Sequence, residues 1–386
     1  MDLLVPRYGV GSLADVVPSL LAGLGVPGMV DVLGLAGASR VCVLLVDGLG
    51  WHLLNEHQSD APFLASLAAG SSPITAGFPA TTATSVASLA TGMPAGEHGL
   101  VGYSFAAGPG GDELLNALRW HRHGVAEHVD LRSVLVPEQV QPRRTAFERA
   151  ADAGVVVRLV VPNEQEGSGL SRAVLRGGTF RGVLAFGDLV SRVLAALHEQ
   201  GRILCYAYHA DLDSIGHVYG PGSDPWRRQL AFVDQLAASI AHGLPREGAL
   251  VVTADHGMVT VTDADRVDAD TDDRLRNGVR MLGGETRVRH VYTEAGAVDD
   301  VRAAWAEVLG DKAWIASRDE AITAGWFGPR VAEHVRPRIG DLVVAGRGSL
   351  AVVCSASEPR LSAFIGHHGS LTAEEQLVPL LVATNP

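Results

Sequence analysis

Three aspartates stand at or just beyond the ends of apolar, β-branched runs. Asp47 closes Val41–Val46 and leads into Gly48-Leu49-Gly50, and Asp255 follows Ala249–Thr253 and is joined directly to His256-Gly257. Asp213 lies a few residues beyond Ile203–Tyr208 and precedes His217 by one helical turn. A single aspartate after a strand is an ordinary N-cap or turn residue. Three that arrive together, two with histidine partners, suit metal coordination. Carboxylate and imidazole are the donors zinc takes, whereas harder ions such as Mg²⁺ and Mn²⁺ favour oxygen. Gly366-His367-His368-Gly369 offers a further imidazole, while His52, His57, His121, His123, His128, His198, His242, His290 and His334 sit in no comparable setting.

Between the first and second of these acids runs Phe78-Pro-Ala-Thr81-Thr82-Ala-Thr-Ser-Val-Ala-Ser-Leu-Ala-Thr91-Gly92. The residues after Thr82 favour a helix that starts near it. A hydroxyl at a helix N-terminus faces free N–H groups and the positive end of the dipole, a place suited to a phosphoryl oxygen. Capping alone would also account for threonine there.

These groups need a scaffold that brings strand ends together. Short β-branched runs at Val41–Val46, Val156–Val161, Ile203–Tyr208 and Ala249–Thr253, with another at Leu350–Val353, alternate with helical patterns at Ala61–Ala69, Arg144–Ala153, Leu189–Glu199 and Trp226–His242. This alternation predicts an α/β fold with a mainly parallel central sheet flanked by helices. In open sheets of this kind ligands bind beyond the carboxyl ends of the strands. Residues 265–345 change character, with an Asp/Arg-rich loop, strand-like runs at Arg287–Tyr292 and Leu342–Val344, and a helix at Val298–Leu309. We read them as a small α/β insertion, or cap, within a core formed by residues 1–264 and 346–386.

The 386 residues carry a formal net charge of −12, which argues against a protein that grips a nucleic-acid polymer over a broad basic face. An anionic substrate then needs a local positive site, which metal ions can supply. No apolar run is long enough to span a membrane. Cys42, Cys205 and Cys354 are far apart and embedded in apolar runs, which suggests buried thiols in a reducing compartment. The expected location is the cytoplasm.

Taken in order, Asp47-Gly-Leu-Gly, the threonine-rich segment ending in Thr91-Gly92, Met93-Pro-Ala-Gly-Glu-His98-Gly99, Asp213 with His217, Asp255-His256-Gly257 and His368-Gly369 resemble the alkaline phosphatase superfamily, in particular its nucleotide pyrophosphatase/phosphodiesterase branch. In that superfamily the nucleophile precedes the threonine of the Thr-Gly pair by nine positions, which selects Thr82, with Thr81 its neighbour. The resemblance implies two divalent metal ions, zinc or manganese. Asp47, Asp255, His256 and Thr82 would hold one, and Asp213, His217 and His368 the other. His368 is selected over His367 because the ligand directly precedes glycine, and Asp213 over Asp211 by its spacing to His217. The implied activity is hydrolysis of a small phosphorylated substrate through a phosphothreonine.

Two positions depart from the branch patterns. Tyr103 stands where the phosphodiesterases commonly place an asparagine that contacts a phosphate oxygen, and a phenol can donate one such hydrogen bond. Tyr208 stands where monoesterases usually carry a glutamate for a third metal, which tilts the reading towards diesters or pyrophosphates. Phosphomonoesterase or phosphonate hydrolase activity, and a non-catalytic phospho-ligand-binding descendant, are the alternatives. A sulfatase would need a Cys/Ser-x-Pro/Ala-x-Arg context at the nucleophile, and a dinucleotide-binding turn would need a third glycine after Asp47-Gly-Leu-Gly. Neither is present.

Overall fold

A computed structural model of the chain describes residues 3–385 except Ala126 and His128. His128 therefore lies outside the described residues. The central sheet contains β1 (Arg40–Val46), β2 (Val156–Val160), β3 (Thr179–Phe180), β4 (Ile203–His209) and β5 (Gly248–Thr253), in the spatial order β5-β1-β4-β2-β3, all parallel. The final strand, Leu380–Asn385, joins antiparallel to β5 at one edge. From Val41 onward every β1 residue is buried, as expected of a strand covered on both faces, and this is why its sequence is continuously apolar rather than alternating. The mainly parallel α/β architecture is thus as the sequence implies.

Register matters most for function. In β1, Leu45 lies opposite both Tyr208 of β4 and Thr253 of β5. Three neighbouring strands therefore end level, and the chain leaves each of them at the same edge of the sheet. The helices that cover the sheet are amphipathic. In the helix Asp224–His242, Trp226, Leu230, Val233, Ala237 and Ile240 form the buried stripe, at the spacing of one helical face. From the same helix buried Asp234 accepts hydrogen bonds from the backbone N–H groups of Phe63 and Leu64, so it satisfies the start of the helix Pro62–Ala68 from outside.

A second, wholly antiparallel sheet comprises β6 (Val279–Glu285), β7 (Val288–Thr293), β8 (Ala313–Ser317) and β9 (Leu342–Gly346), ordered β6-β7-β9-β8. The helix Val298–Leu309 packs on it through Val301, Trp305 and Leu309. Two buried ion pairs join this sheet to later segments: Arg287 donates to both oxygens of Glu375, and Arg289 to both oxygens of Glu358. A three-stranded antiparallel sheet at Ser104–Ala107, Glu113–Asn116 and His121–Arg122 carries no mark in our sequence reading. Among the described residues no helix is long and apolar enough to cross a membrane, and all three cysteines are buried and unpaired.

Candidate active site

The level strand ends gather the three aspartates. Asp47 follows β1 directly, and Asp255 follows β5 after Ala254. The helix α1 spans Thr82–Thr91, and Asp213 and His217 project from one face of α2 (Asp211–Tyr219), which follows β4. Gly48 sits at φ +75°, and a Cβ there would lie 3.0 Å from Asp213, so only glycine lets the Asp47 turn and α2 approach this closely. The Gly48 N–H donates to Asp255 Oδ1 at 3.1 Å, tying the first and third acids together. Asp211, by contrast, is exposed at the start of α2.

Two clusters result: Asp47, Asp255 and His256 in one, Asp213, His217 and His368 in the other, with the potential ligand atoms of each lying within 4.8 Å of one another. His256 Nε2 lies 3.3 Å from Asp47 and 3.5 Å from Asp255, and His217 Nε2 lies 3.3 Å from Asp213. His368 Nε2 is 3.9 Å from the same Asp213 carboxylate. All three imidazoles set their Nδ1 against a backbone carbonyl: His217 on Gly366, His256 on Gly257 and His368 on Ala80, at 2.7, 3.0 and 2.9 Å. An Nδ1–H donated to a carbonyl leaves Nε2 with a free lone pair, the arrangement of a metal-binding histidine oriented by its second nitrogen. His367 differs. Its Nδ1 meets Thr286 Oγ1 at 2.6 Å and its Nε2 meets the Phe364 carbonyl at 2.9 Å, so both nitrogens are engaged.

The donor set fits divalent cations on a second count. Asp47 Oδ1, Asp213 Oδ1 and Asp255 Oδ2 are buried without a hydrogen-bond partner, one orphan oxygen per aspartate, a costly arrangement unless a cation takes the lone pairs. Burial and the adjacent Asp47 charge push the Asp255 carboxyl well above the usual carboxylate range. Burial works to lower His256, yet the Asp255 and Asp47 carboxylates outweigh it and raise that imidazole well above its ordinary value. Burial would raise Asp213, but the neighbouring His217 and His368 imidazoles hold it well below the ordinary carboxylate value. Three acids and three imidazoles crowded in this way answer to positive charge.

Thr82 is the first residue of α1, with Thr81 as N-cap. Thr82 Oγ1 lies 3.4 Å from Asp47 Oδ2 and 3.4 Å from His256 Nε2. Thr81 Oγ1 turns elsewhere and donates to Glu285 Oε2 at 3.4 Å. Glu285, at the end of β6, also lies 3.7 Å from His368 Nδ1. Burial pushes its carboxyl up to about 8, and cationic charge in the adjoining clusters would draw it back down. Our sequence reading missed Glu285, since nothing in its spacing to Gly283-Gly284 or to any histidine marks it.

Tyr103 lines the same cavity as Thr81, Thr82, Asp213, His217, Glu285 and His368, a space of about 70 Å³ closed on its apolar side by Leu118, Leu361 and Phe364. Its hydroxyl bonds to Asn116, and burial raises it above the usual phenol range. Tyr208 is buried, and its hydroxyl donates to Asp47 Oδ2. Two roomier clefts, about 470 and 480 Å³, are lined by none of the expected ligands. Chemistry rather than volume singles out the candidate site.

A mainly parallel sheet whose level strand ends deliver paired Asp/His clusters beside a helix-initial threonine defines a protein of the alkaline phosphatase fold. The chain belongs to the type I phosphodiesterase / nucleotide pyrophosphatase family, whose model matches residues 41–371, and so to a family of phosphoester hydrolases. Among solved structures, it resembles murine ectonucleotide pyrophosphatase/phosphodiesterase 5, an inactive threonine-to-alanine form in complex with AMP, with a TM-score of 0.67 at 17% identity over 90% of this chain and 88% of that one. It also resembles phosphonoacetate hydrolase from Sinorhizobium meliloti 1021 in complex with phosphonoacetate, with a TM-score of 0.64 at 19% identity over 90% of each chain. No curated protein matches the chain.

Proposed function

We propose that this chain is a binuclear-metal phosphodiesterase or nucleotide pyrophosphatase that works through a phosphothreonine on Thr82. The observation that carries the reading is the position of Thr82 Oγ1, 3.4 Å from both Asp47 and His256 at the head of α1. Asp47, Asp255 and His256, with Thr82, would hold one divalent ion, and Asp213, His217 and His368 the other. Three imidazoles in the set favour zinc, and Mn²⁺ is also accommodated. When bound, such ions supply Lewis acidity, which lowers the pKa of a coordinated hydroxyl and offsets charge on a phosphoryl group.

The remaining chemistry belongs to the protein. Thr82 Oγ1 attacks phosphorus; its new bond to phosphorus forms as the ester or anhydride bond to the leaving group breaks, and water later cleaves the phosphothreonine. Free N–H groups in the first turn of α1 donate hydrogen bonds to the phosphoryl oxygens, and the Tyr103 hydroxyl donates to one of them. Tyr208 holds the Asp47 carboxylate in place. Residues 265–345 act as a cap that shapes the pocket through Glu285 and Thr286. The small phosphorus-containing ligands of the two structural neighbours support a small phosphorylated substrate.

The test is hydrolysis of p-nitrophenyl phosphate, bis-p-nitrophenyl phosphate and the p-nitrophenyl ester of thymidine monophosphate, first with chelator and then with Zn²⁺ or Mn²⁺ restored. Metal-restored activity that favours the diesters is expected. Preference for the monoester would overturn the diesterase assignment, and an inability to bind metal would overturn the binuclear mechanism.

A further inference from the structure

A buried carboxyl that the mechanism above does not use faces the reaction cavity. Glu285 reaches it from the second sheet. One of its oxygens meets the Thr81 hydroxyl next to the nucleophile, and the other, Oε1, is buried without any hydrogen-bond partner. Its Oε2 also lies 3.7 Å from His368 Nδ1, and the side chain lines the cavity together with Tyr103, Asp213 and His217. A glutamate kept only to hold Thr81 would not leave an oxygen orphaned, because that costs more than a single long hydrogen bond returns. The lining contains no lysine or arginine, and Leu118, Leu361 and Phe364 form its far wall. Surplus negative charge in this cavity therefore meets no lysine or arginine and, on one side, a wall of Leu118, Leu361 and Phe364.

We propose that Glu285 is a specificity-determining residue, whose carboxylate disfavours a doubly charged phosphoryl group and thereby selects singly charged diesters and similarly blocked phosphorus acids. The inference rests on the hydrolase reading above and deepens it. Charge counting gives the reason. Two divalent ions held by Asp47, Asp213 and Asp255, with neutral imidazoles and the Thr82 hydroxyl still protonated, would leave the site with a surplus of one positive charge. Glu285 cancels that surplus. A dianion then enters a site without net positive charge, while a monoanion has one charge fewer to desolvate. Charge within a small, partly apolar cavity is weakly screened, so the discrimination persists at physiological ionic strength.

The experiment compares the metal-loaded protein with its Glu285→Gln and Glu285→Asp variants. Substrates are p-nitrophenyl phosphate and methyl p-nitrophenyl phosphate, which share a leaving group and differ in charge. In Glu285→Gln the monoester-to-diester ratio of kcat/KM should rise about tenfold or more, the scale of one unscreened charge at close range. Glu285→Asp keeps the charge and should keep most of the discrimination. In parallel, calorimetry with phenylphosphonate and its monomethyl ester reads the same preference in Kd without turnover. The dianion should gain about tenfold over the monoanion in Glu285→Gln.

A ratio unchanged by Glu285→Gln, or shifted towards the monoanion, in both assays overturns the inference. If the parent protein binds the phosphonates but hydrolyses neither ester, the hydrolase reading fails, and the Kd ratio still decides the role of Glu285. If Glu285→Gln does not fold, Glu285→Ala takes its place in both assays: a rise in the dianion's relative preference supports the inference, and a ratio equal to the parent's overturns it.

Discussion

The imidazoles of His256 and His368 stack face to face, with centroids 3.5 Å apart and planes 14° from parallel. One follows a central-sheet strand and the other lies in a C-terminal segment more than a hundred positions later. The contact puts the two Asp/His clusters side by side, and each ring still anchors its Nδ1 on a separate carbonyl. The second cluster is therefore built against a wall of the first.

Thr82→Ala should lose at least about 10³-fold in hydrolysis while it retains metal and fold, because removal of a nucleophile leaves only binding and electrostatic assistance. Thr82→Ser should retain substantial activity. Thr81→Ala, which removes a hydroxyl directed at Glu285 rather than at the Asp47 cluster, should cost far less. Steady-state rates, with metal content measured on the same samples, would check the order. Equal losses at the two threonines would contradict the assignment.

Asp213→Ala should lower bound zinc from about two ions per chain to about one, whereas the Asp47 cluster keeps its full donor set. Elemental analysis after dialysis measures this. Retention of both ions would remove Asp213 from the ligand set.

Tyr208→Phe removes the phenolic hydrogen bond to Asp47 and leaves its Oδ2 with only the long contact from Thr82, beside an Oδ1 that has no partner. We expect metal affinity to fall about tenfold or more, the usual effect of losing a group that orients a ligand. Competition with a calibrated chelator reads the change. An unchanged affinity would make Tyr208 a filler of the core.

Glu358 supplies a pH-dependent contribution to stability. Burial would raise its carboxyl, but the Arg289 guanidinium and the hydrogen bond from His123 outweigh it and bring the group down from 4.5 to about 2. A depressed folded-state value means the stabilisation is fully present above the unfolded value and is lost as pH falls through the folded one. Denaturant titrations from pH 7 to pH 2 should show Glu358→Gln less stable by about 3 kcal/mol at neutrality. The gap should narrow between about pH 4.5 and 2. A gap that stays constant with pH would show that shape rather than charge sets the effect.

Much of the site is legible in the sequence because its parts are local. Asp47 ends an apolar run, Asp213 and His217 are one helical turn apart, and His256 is joined to Asp255, so strand-end placement and helical period suffice to mark them. Thr82 is marked by the helix that begins there. Tertiary structure alone decided what depends on distant segments meeting. Thr81 and Glu285 are 204 positions apart, so only the packing of the second sheet against the core brings that carboxyl into the cavity. The Arg289–Glu358–His123 network and the sheet at 104–122 that carries Leu118 to the pocket belong to the same class. Burial, orphaned oxygens and the anchoring of each histidine are properties of the assembled interior. They arise from the contacts that a folded chain makes across its sequence, which the periodicity of any one segment does not encode.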